Sequence, residues 1–427
     1  MHARSASSAS TTSTKVLMVS SFIPSFSRRS AAIPNKQGTK AIYTVNTQTP
    51  GSHANITEIR IIDLLTGTSN LFSDDPRDTE AKWLGKGDLV LWLKDVDFGA
   101  TEFWIADAED AGQSYVNLKT LSKRASVGSS YTQPANGYCA GRISAKASHL
   151  KLHRLHGQYD DIAIAVTCSA TSNGSLYNPD TEGSTSEMQN AIWYTTLRKK
   201  AMSSSTAELK YITSPTRFVN ALRGTGLESP LRSPFGHSTD FDISTSGIVF
   251  LAKDGPSCTT QPASFNVYYT PLKTFTEMSR PRPQIINIKG FEGRSSNPVF
   301  SPSGNSVAFL KRRELADSND RKRVIVVDNI RDFRAHMAID NMPTQQSEKD
   351  WHLSPYSVAW SDDGKELYVV AVETGIRRLF KIPANLSSIK TAPEPITSDS
   401  TTPADVRHLR MVFSAPMDLT PERSSVG

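Results

Sequence analysis

The chain has 427 residues, 37% of them hydrophobic and 21% charged, with a formal net charge of +6. This is the balance of a soluble globular chain, and no run approaches the ~18 consecutive apolar residues that a membrane-spanning helix needs. Its three cysteines, Cys139, Cys168 and Cys258, form neither a CxxC metal pair nor a disulfide framework, although Cys139 and Cys168 could pair in an oxidising compartment.

Residues 1–27 read as a disordered tail: the first fourteen are rich in Ser and Thr and carry no aromatic side chain. The short apolar stretch that follows lacks the length and the small-residue cleavage site of a secretory signal. From residue 28 one pattern recurs. Residues 31–45 (AAIPNKQGTKAIYTV) hold an apolar pair, a turn with Pro34 and Gly38, and a second apolar run. Residues 82–93 (KWLGKGDLVLWL) repeat it around Gly87. A weaker copy, residues 149–167 (HLKLHRLHGQYDDIAIAVT), turns at residues 157–161. Residues 240–252 (DFDISTSGIVFLA) turn at Gly247. The clearest copies are residues 295–311 (SSNPVFSPSGNSVAFLK) and 357–371 (SVAWSDDGKELYVVA), in which Trp360, Ser361 and Gly364 stand where Phe300, Ser301 and Gly304 stood. Proline presets φ and glycine tolerates the positive φ that closes a tight turn, so each copy reads as a strand–turn–strand hairpin.

A third run rich in aromatic and β-branched residues follows each hairpin, as in residues 58–64 (EIRIIDL) and 323–328 (RVIVVD), and a shorter polar run often follows that. No long segment shows the i, i+3, i+4, i+7 spacing of a helix. Four short antiparallel strands per repeat describe a blade, and blades must stack to bury their faces. The expectation is an all-β protein: a β-propeller over residues 28–400 with six blades, at roughly 28–75, 80–122, 136–214, 240–288, 297–341 and 354–397. Residues 401–427 are expected to be an incomplete seventh blade, opened by residues 406–413 (VRHLRMVF), or a disordered tail. An open ring would leave an unpaired edge through which the chain could self-associate.

Chemistry is harder to find. The sequence holds no GxSxG elbow, GxGxxG, Walker A, HExxH or EF-hand loop. His149, His153 and His156 with Asp160 and Asp161 have metal-ligating side chains, but Leu150 and Leu152 alternate with them at strand period, which places the leucines inward and His149 and His153 in water. His237, Asp240 and Asp242 sit among serines without singling out a nucleophile and read as a polar lead-in to a strand. Trp83, Trp104, Trp193 and Trp360 fall on predicted strands of different blades and read as packing residues. The basic clusters Lys199–Lys200, 311–313 and 321–323 read as solvated loop ends, without the interleaved aromatics of a nucleic-acid surface. No catalytic, cofactor-binding or metal-ligating residue is assigned, and neither nucleic acid nor membrane is expected as a partner. Asn55, Asn173 and Asn385 open short glycosylation sequons.

Eight phrases in order carry a resemblance. They are residues 28–35 (RRSAAIPN), 83–85 (WLG), 99–107 (GATEFWIAD), 174–179 (GSLYNP), 224–229 (GTGLES), 240–254, 298–311 and 351–361. Over about residues 27–399 the chain resembles the N-terminal propeller of the fungal dipeptidyl-peptidase V group, within the prolyl oligopeptidase family of serine peptidases. The resemblance implies a secreted enzyme whose propeller screens peptide substrates for an α/β-hydrolase domain carrying a Ser-Asp-His triad. The stretch after Ser400 is too short to form that domain, so it is expected to be absent and no catalytic residue is expected to carry over. The expected function is the substrate-gating portion of such an exopeptidase, truncated and inactive alone. The alternative is a free-standing propeller that binds peptide or protein without catalysis, and a cytoplasmic location is the alternative to secretion. The family also implies a longer segment between Tyr177 and Ala191, so the third blade is expected to lack a strand.

Overall fold

A computed structural model describes residues 26–397, apart from 49–54, 86, 97–98, 112–133, 135–136, 156–160, 172–187, 202–208, 214–217, 231–237, 254–264, 278, 280, 315–319, 333, 338–352, 374–375, 386–392 and 394. The seventh-blade candidate at 406–413 lies outside the described residues. These form six antiparallel sheets, each from consecutive strands. Sheet 1 holds β1 (Phe26–Arg29), β2 (Ile33–Pro34), β3 (Lys40–Gln48), β4 (Asn55–Asp63) and β5 (Ser69–Ser73), in the order β1-β3-β4-β5 with β2 also on β3. Sheet 2 holds β6 (Asp78–Trp83), β7 (Leu89–Val96), β8 (Ala100–Asp107) and β9 (Tyr138–Ile143). Sheet 3 holds β10 (Ala147–Arg154), β11 (Ile162–Thr171), β12 (Met188–Ala201) and β13 (Leu209–Thr213), with β14 (Val219–Asn220) also on β12. Sheet 4 holds β15 (Phe241–Ser244), β16 (Gly247–Lys253), β17 (Phe265–Pro271) and β18 (Gln284–Ile285). Sheet 5 holds β19 (Ser295–Phe300), β20 (Val307–Lys311), β21 (Arg323–Asn329) and β22 (Arg334–Met337). Sheet 6 holds β23 (Pro355–Trp360), β24 (Glu366–Glu373) and β25 (Ile376–Pro383), with Pro395 bridging to Phe380 where a fourth strand would lie. The fold is a β-propeller. A turn of 3-10 helix stands at Ala108–Asp110.

The hairpin turns show why the repeat is legible. In sheets 1, 5 and 6 the residue three before the marker glycine, Asn35, Ser301 or Ser361, accepts the glycine N–H on its carbonyl at 3.1, 2.8 and 3.0 Å. Its side-chain oxygen accepts the N–H five residues on, from Lys40, Ser306 or Glu366, at 3.2, 3.1 and 3.0 Å. A short polar side chain is required there because it closes the turn on its own backbone. Gly304 has φ of 74°, and a Cβ built on it would stand 3.0 Å from Ser244 Oγ and Thr245 Oγ1. The turn of sheet 5 thus nests on the turn of sheet 4, where the Ser246 hydroxyl donates to the Gly304 carbonyl at 2.6 Å.

The middle strands of a sheet packed on both sides have no solvent face, so they read as continuous apolar runs rather than alternating ones. In sheet 5, Val299, Ala308, Leu310, Val324 and Val326 pack with residues of sheet 6, and Phe300, Val307, Phe309, Ile325 and Val327 pack with residues of sheet 4. Comparable buried clusters join sheets 1 and 2, 2 and 3, and 3 and 4. Each fully buried side chain of this size contributes roughly 1.5–3 kcal/mol. No such cluster joins sheets 6 and 1 among the described residues; Val370 and Leu379 form a small cluster with Ala359 and Tyr368, all within sheet 6.

Two expectations are corrected. Residues 138–143 pair with β8 and complete sheet 2 instead of opening the third blade, because a long connection separates them from β8 and only the pairing reveals their sheet. Sheet 3 does not lack a strand: β10 to β13 fill it and β14 adds a further pairing to β12.

Candidate functional site

The first strands of successive sheets meet one another, β6 with β10, β10 with β15, β15 with β19 and β19 with β23. They therefore surround a common axis, and polar groups on them are the ones a ligand on that axis would meet. Four of these five strands share an irregularity, while β15 of sheet 4 pairs in regular register. The pairing slips between Thr79 and Lys82, between Ser148 and Lys151, between Ser296 and Val299, and between Pro355 and Ser357. In sheet 1 the strand is broken outright between β1 and β2. Three of the slips contain a left-handed residue: Glu80 (φ 54°), His149 (φ 53°) and Asn297 (φ 62°). A bulge re-aims a side chain that regular pleating would direct into a neighbouring sheet. His149 Nδ1 lies 3.8 Å from Glu80 Oε1, which places a carboxylate and an imidazole of adjacent sheets side by side. Asn297 is buried, and Tyr356, in the slip of sheet 6, is 57% exposed. The slips thus carry an acid, an imidazole, an amide and a phenol, groups able to hydrogen-bond a peptide, of which Glu80 and His149 stand together.

The bulge also corrects the reading of the histidine cluster. β10 is a strand and Leu150 is buried, but alternation fails at the slip. His149 and His153 are half-buried, as is Leu152, and the two histidines do not face open water. Asp161 accepts a hydrogen bond from Arg198 Nε at 2.9 Å; His156 and Asp160 lie outside the described residues. No group of three or more His, Cys, Asp or Glu side chains that could hold a metal occurs among the described residues.

Of the second constellation, His237 lies outside the described residues. Asp242 Oδ2 accepts the Phe300 N–H at 2.9 Å, tying sheet 4 to sheet 5. The buried Asp240 accepts the Leu251 N–H on its carbonyl at 2.7 Å. Both act in the framework. The tryptophans pack as read: Trp193 is buried between sheets 2 and 3, Trp104 donates to Glu102 at 3.0 Å, and Trp83 and Trp360 bind carbonyls of the preceding sheet. Cys139 is exposed and Cys168 buried, and both are free thiols. Burial raises the pKa of each; Cys258 lies outside the described residues.

One feature that the sequence reading missed concerns Lys94 and Lys311. Each follows its marker glycine, Gly87 or Gly304, by the same interval within an apolar run. Lys311 is not a solvated loop end: it is 1% exposed, and its Nζ donates to Asn266 Oδ1 at 2.6 Å and Ser295 Oγ at 3.1 Å. Lys94 Nζ reaches Asp75 Oδ2 at 2.6 Å and Asp78 Oδ1 at 3.0 Å. Burial alone would raise the Asp75 pKa, but bonds from Arg77 and Lys94 hold it far below the usual carboxylate range. Burial raises Asp78 against the pull of Lys94. A lysine inside an apolar strand signals a buried partner, and that signal was present in the sequence.

No family model matches the chain. The chain is similar to dipeptidyl-peptidase 5 of Aspergillus fumigatus, 30% identical over 373 residues, which are 84% of this chain and 48% of that protein. It is 27% identical over 390 residues to the probable dipeptidyl-peptidase 5 of Arthroderma benhamiae, covering 84% of this chain and 47% of that one. It thus spans about half the length of these relatives. Among solved structures, the β-propeller domain of the Trilobed protease from Pyrococcus furiosus superposes with a TM-score of 0.44 at 11% identity, over 87% of this chain and 84% of that chain. No helix among the described residues is long and apolar enough to cross a membrane.

Proposed function

We propose that this chain is the substrate-gating propeller portion of a dipeptidyl-peptidase 5-like serine exopeptidase. The observation that carries the reading is a pairing of two facts. The similarity runs through most of this chain but about half of each relative, and the sequence contains no GxSxG elbow. On this reading the propeller meets a hydrolase domain, peptides pass along the axis, and the polar groups at the strand slips select them. The chain alone hydrolyses no peptide, because a nucleophile, base and oxyanion donors must lie within hydrogen-bond reach of one another. Secretion belongs to the same reading.

The test is a chimera in which this chain replaces the matching segment of the Aspergillus fumigatus relative. The expected result is release of dipeptides by the chimera and none by the chain alone, with no labelling of the chain by a fluorophosphonate. Stoichiometric labelling abolished by one Ser→Ala change would overturn the inactive reading. An inactive, folded chimera, together with peptide binding by the chain alone, would favour a free-standing binding propeller.

A further inference from the structure

The outer rim holds a cleft of about 690 Å³ between sheets 3 and 4, within the ~300–1,000 Å³ range of ligand pockets. One wall is the loop after β14, from Ala221 to Leu227, which contains most of the GTGLES phrase singled out in the sequence. The other is the connection leading into β18, with Ser279, Pro281, Arg282 and Pro283, and Tyr268 on β17 also lines the cleft.

Both walls are fixed. In the first, Asn220 Oδ1 accepts the Leu222 N–H at 2.8 Å, the Thr225 hydroxyl donates to the Leu222 carbonyl at 2.7 Å, and Thr225 Oγ1 accepts the Leu227 N–H at 3.1 Å. In the second, the Tyr194 hydroxyl of sheet 3 donates to the Glu277 carbonyl at 2.8 Å, and Phe275 meets the Tyr194 ring edge-on at 6.0 Å. Tyr268 is stacked on Phe250 at 5.7 Å.

Its charge is one-sided. Arg223 and Arg282 stand on opposite walls, both exposed, and neither has a partner among the described residues. Among the described residues no carboxylate lines the cleft. Gly224, which lines the cleft, holds φ of 76° with open space where a side chain would be, so its backbone is open to a ligand's main chain. Leu227, Pro281, Pro283 and Tyr268 supply apolar lining beside the two arginines.

We infer that this cleft binds an acidic peptide segment, with Arg223 and Arg282 each taking a carboxylate and the bare glycine backbone facing the peptide chain. Arginines on both walls, apolar lining beside them and accessible backbone at Gly224 fit an extended chain that carries carboxylates. A compact inorganic anion would leave the apolar lining and the glycine backbone unused. The inference concerns the outer rim and holds whether or not the propeller gates a peptidase.

The test is fluorescence anisotropy of the full chain with a fluorescein-labelled Glu-Leu-Gly-Glu-Leu peptide at low salt. Arg223→Gln and Arg282→Gln should each weaken binding about tenfold, the loss of one charge-assisted contact. Salt should weaken it too. The glutamine version of the peptide should not bind, and Arg321→Gln, an exposed arginine in another basic cluster, should change nothing. Circular dichroism confirms that the variants fold. Absence of binding, binding indifferent to both substitutions, or displacement by inorganic phosphate as readily as by unlabelled peptide would each overturn the proposal.

Discussion

Trp360 donates its indole N–H to the Val299 carbonyl across the junction of sheets 5 and 6, at 3.2 Å. At the junction of sheets 1 and 2, Trp83 donates in the same way to Ile33, at 2.7 Å. The two tryptophans hold the same place, last in the first strand of their sheets, and their acceptors hold the equivalent place one sheet back. Each bond fastens a blade to its predecessor beside the hairpin turn. Trp360→Phe and Trp83→Phe keep most of the ring and lose the donor, leaving a part-buried carbonyl unmet. Each should cost about 1 kcal/mol, and the costs should add, since the two sites share no partner. Urea denaturation of the two variants and the double variant measures this; a pair of neutral variants would mean that the bonds carry no net stability.

The two buried lysines should respond differently to Lys→Met, because their partners differ in charge. Lys94→Met leaves Asp75 and Asp78 buried without the cation between them, and breaking a buried pair in this way costs about 3–5 kcal/mol. Lys311→Met takes a donor from the neutral Asn266 amide and the Ser295 hydroxyl, at about 1–3 kcal/mol. Chemical denaturation should rank Lys94→Met as the more damaging. The reverse order would show that the Asp75–Arg77 pairing, at 2.7 Å, compensates for the lost lysine.

These features mark how far the sequence could be read. The turns were legible because their chemistry is local: Asn35, Ser301 and Ser361 close on their own backbones, and their glycines must take positive φ. The first strands were legible as strands but not in detail. A bulge depends on how two strands slide past each other, and nothing adjacent to His149 in sequence announces the left-handed residue that ends the Leu150–Leu152 alternation. The strand of residues 138–143 was assigned to the wrong blade because its partner lies beyond a long connection. The outer cleft was unreadable for the same reason, since Arg223 and Arg282 come together only when sheets 3 and 4 pack.

Acid should destabilise the fold. Burial opposes ionisation of Asp75, Asp88 and Asp320, yet bonds from Arg77 and Lys94, from Lys40 and Asn35, and from Arg323 with backbone N–H groups hold all three below their ordinary values. A carboxylate depressed in the folded state adds stability above its unfolded pKa of about 3.9, and that stability is lost as pH falls toward the folded value. Asp78, raised by burial, works in the opposite sense. Asp63, Glu277 and Asp363 are depressed as well, and six depressed carboxylates against one raised among the described residues predict a lower unfolding free energy at about pH 3 than at about pH 6. Asp88→Asn should flatten that dependence. A pH-independent denaturation midpoint over this interval would contradict the assignment.

The last prediction concerns the seam between sheets 6 and 1. Val370 lies on the face of β24 turned away from sheet 5, and Val372, two residues on, shares that face and is 46% exposed. On β4, Ile59 and Ile61 pack toward sheet 2, so Ile56 belongs to the opposite face, and it is 49% exposed. Of the six exposed large hydrophobic residues among the described residues, Tyr356, Val372 and Ile396 belong to sheet 6, and Ile56 and Leu65 to sheet 1. Only Ile285 lies elsewhere. Apolar exposure gathered on one side of a propeller is the kind of patch that marks an interaction surface, and sheet edges add unpaired backbone groups to it. We propose that the isolated chain self-associates through this side, or binds a hydrolase partner there. Sedimentation velocity at low micromolar concentration should show a species heavier than the monomer, and Val372→Glu should shift the distribution back toward the monomer. A monodisperse monomer with cooperative unfolding would sink the proposal and favour a self-sufficient binding propeller.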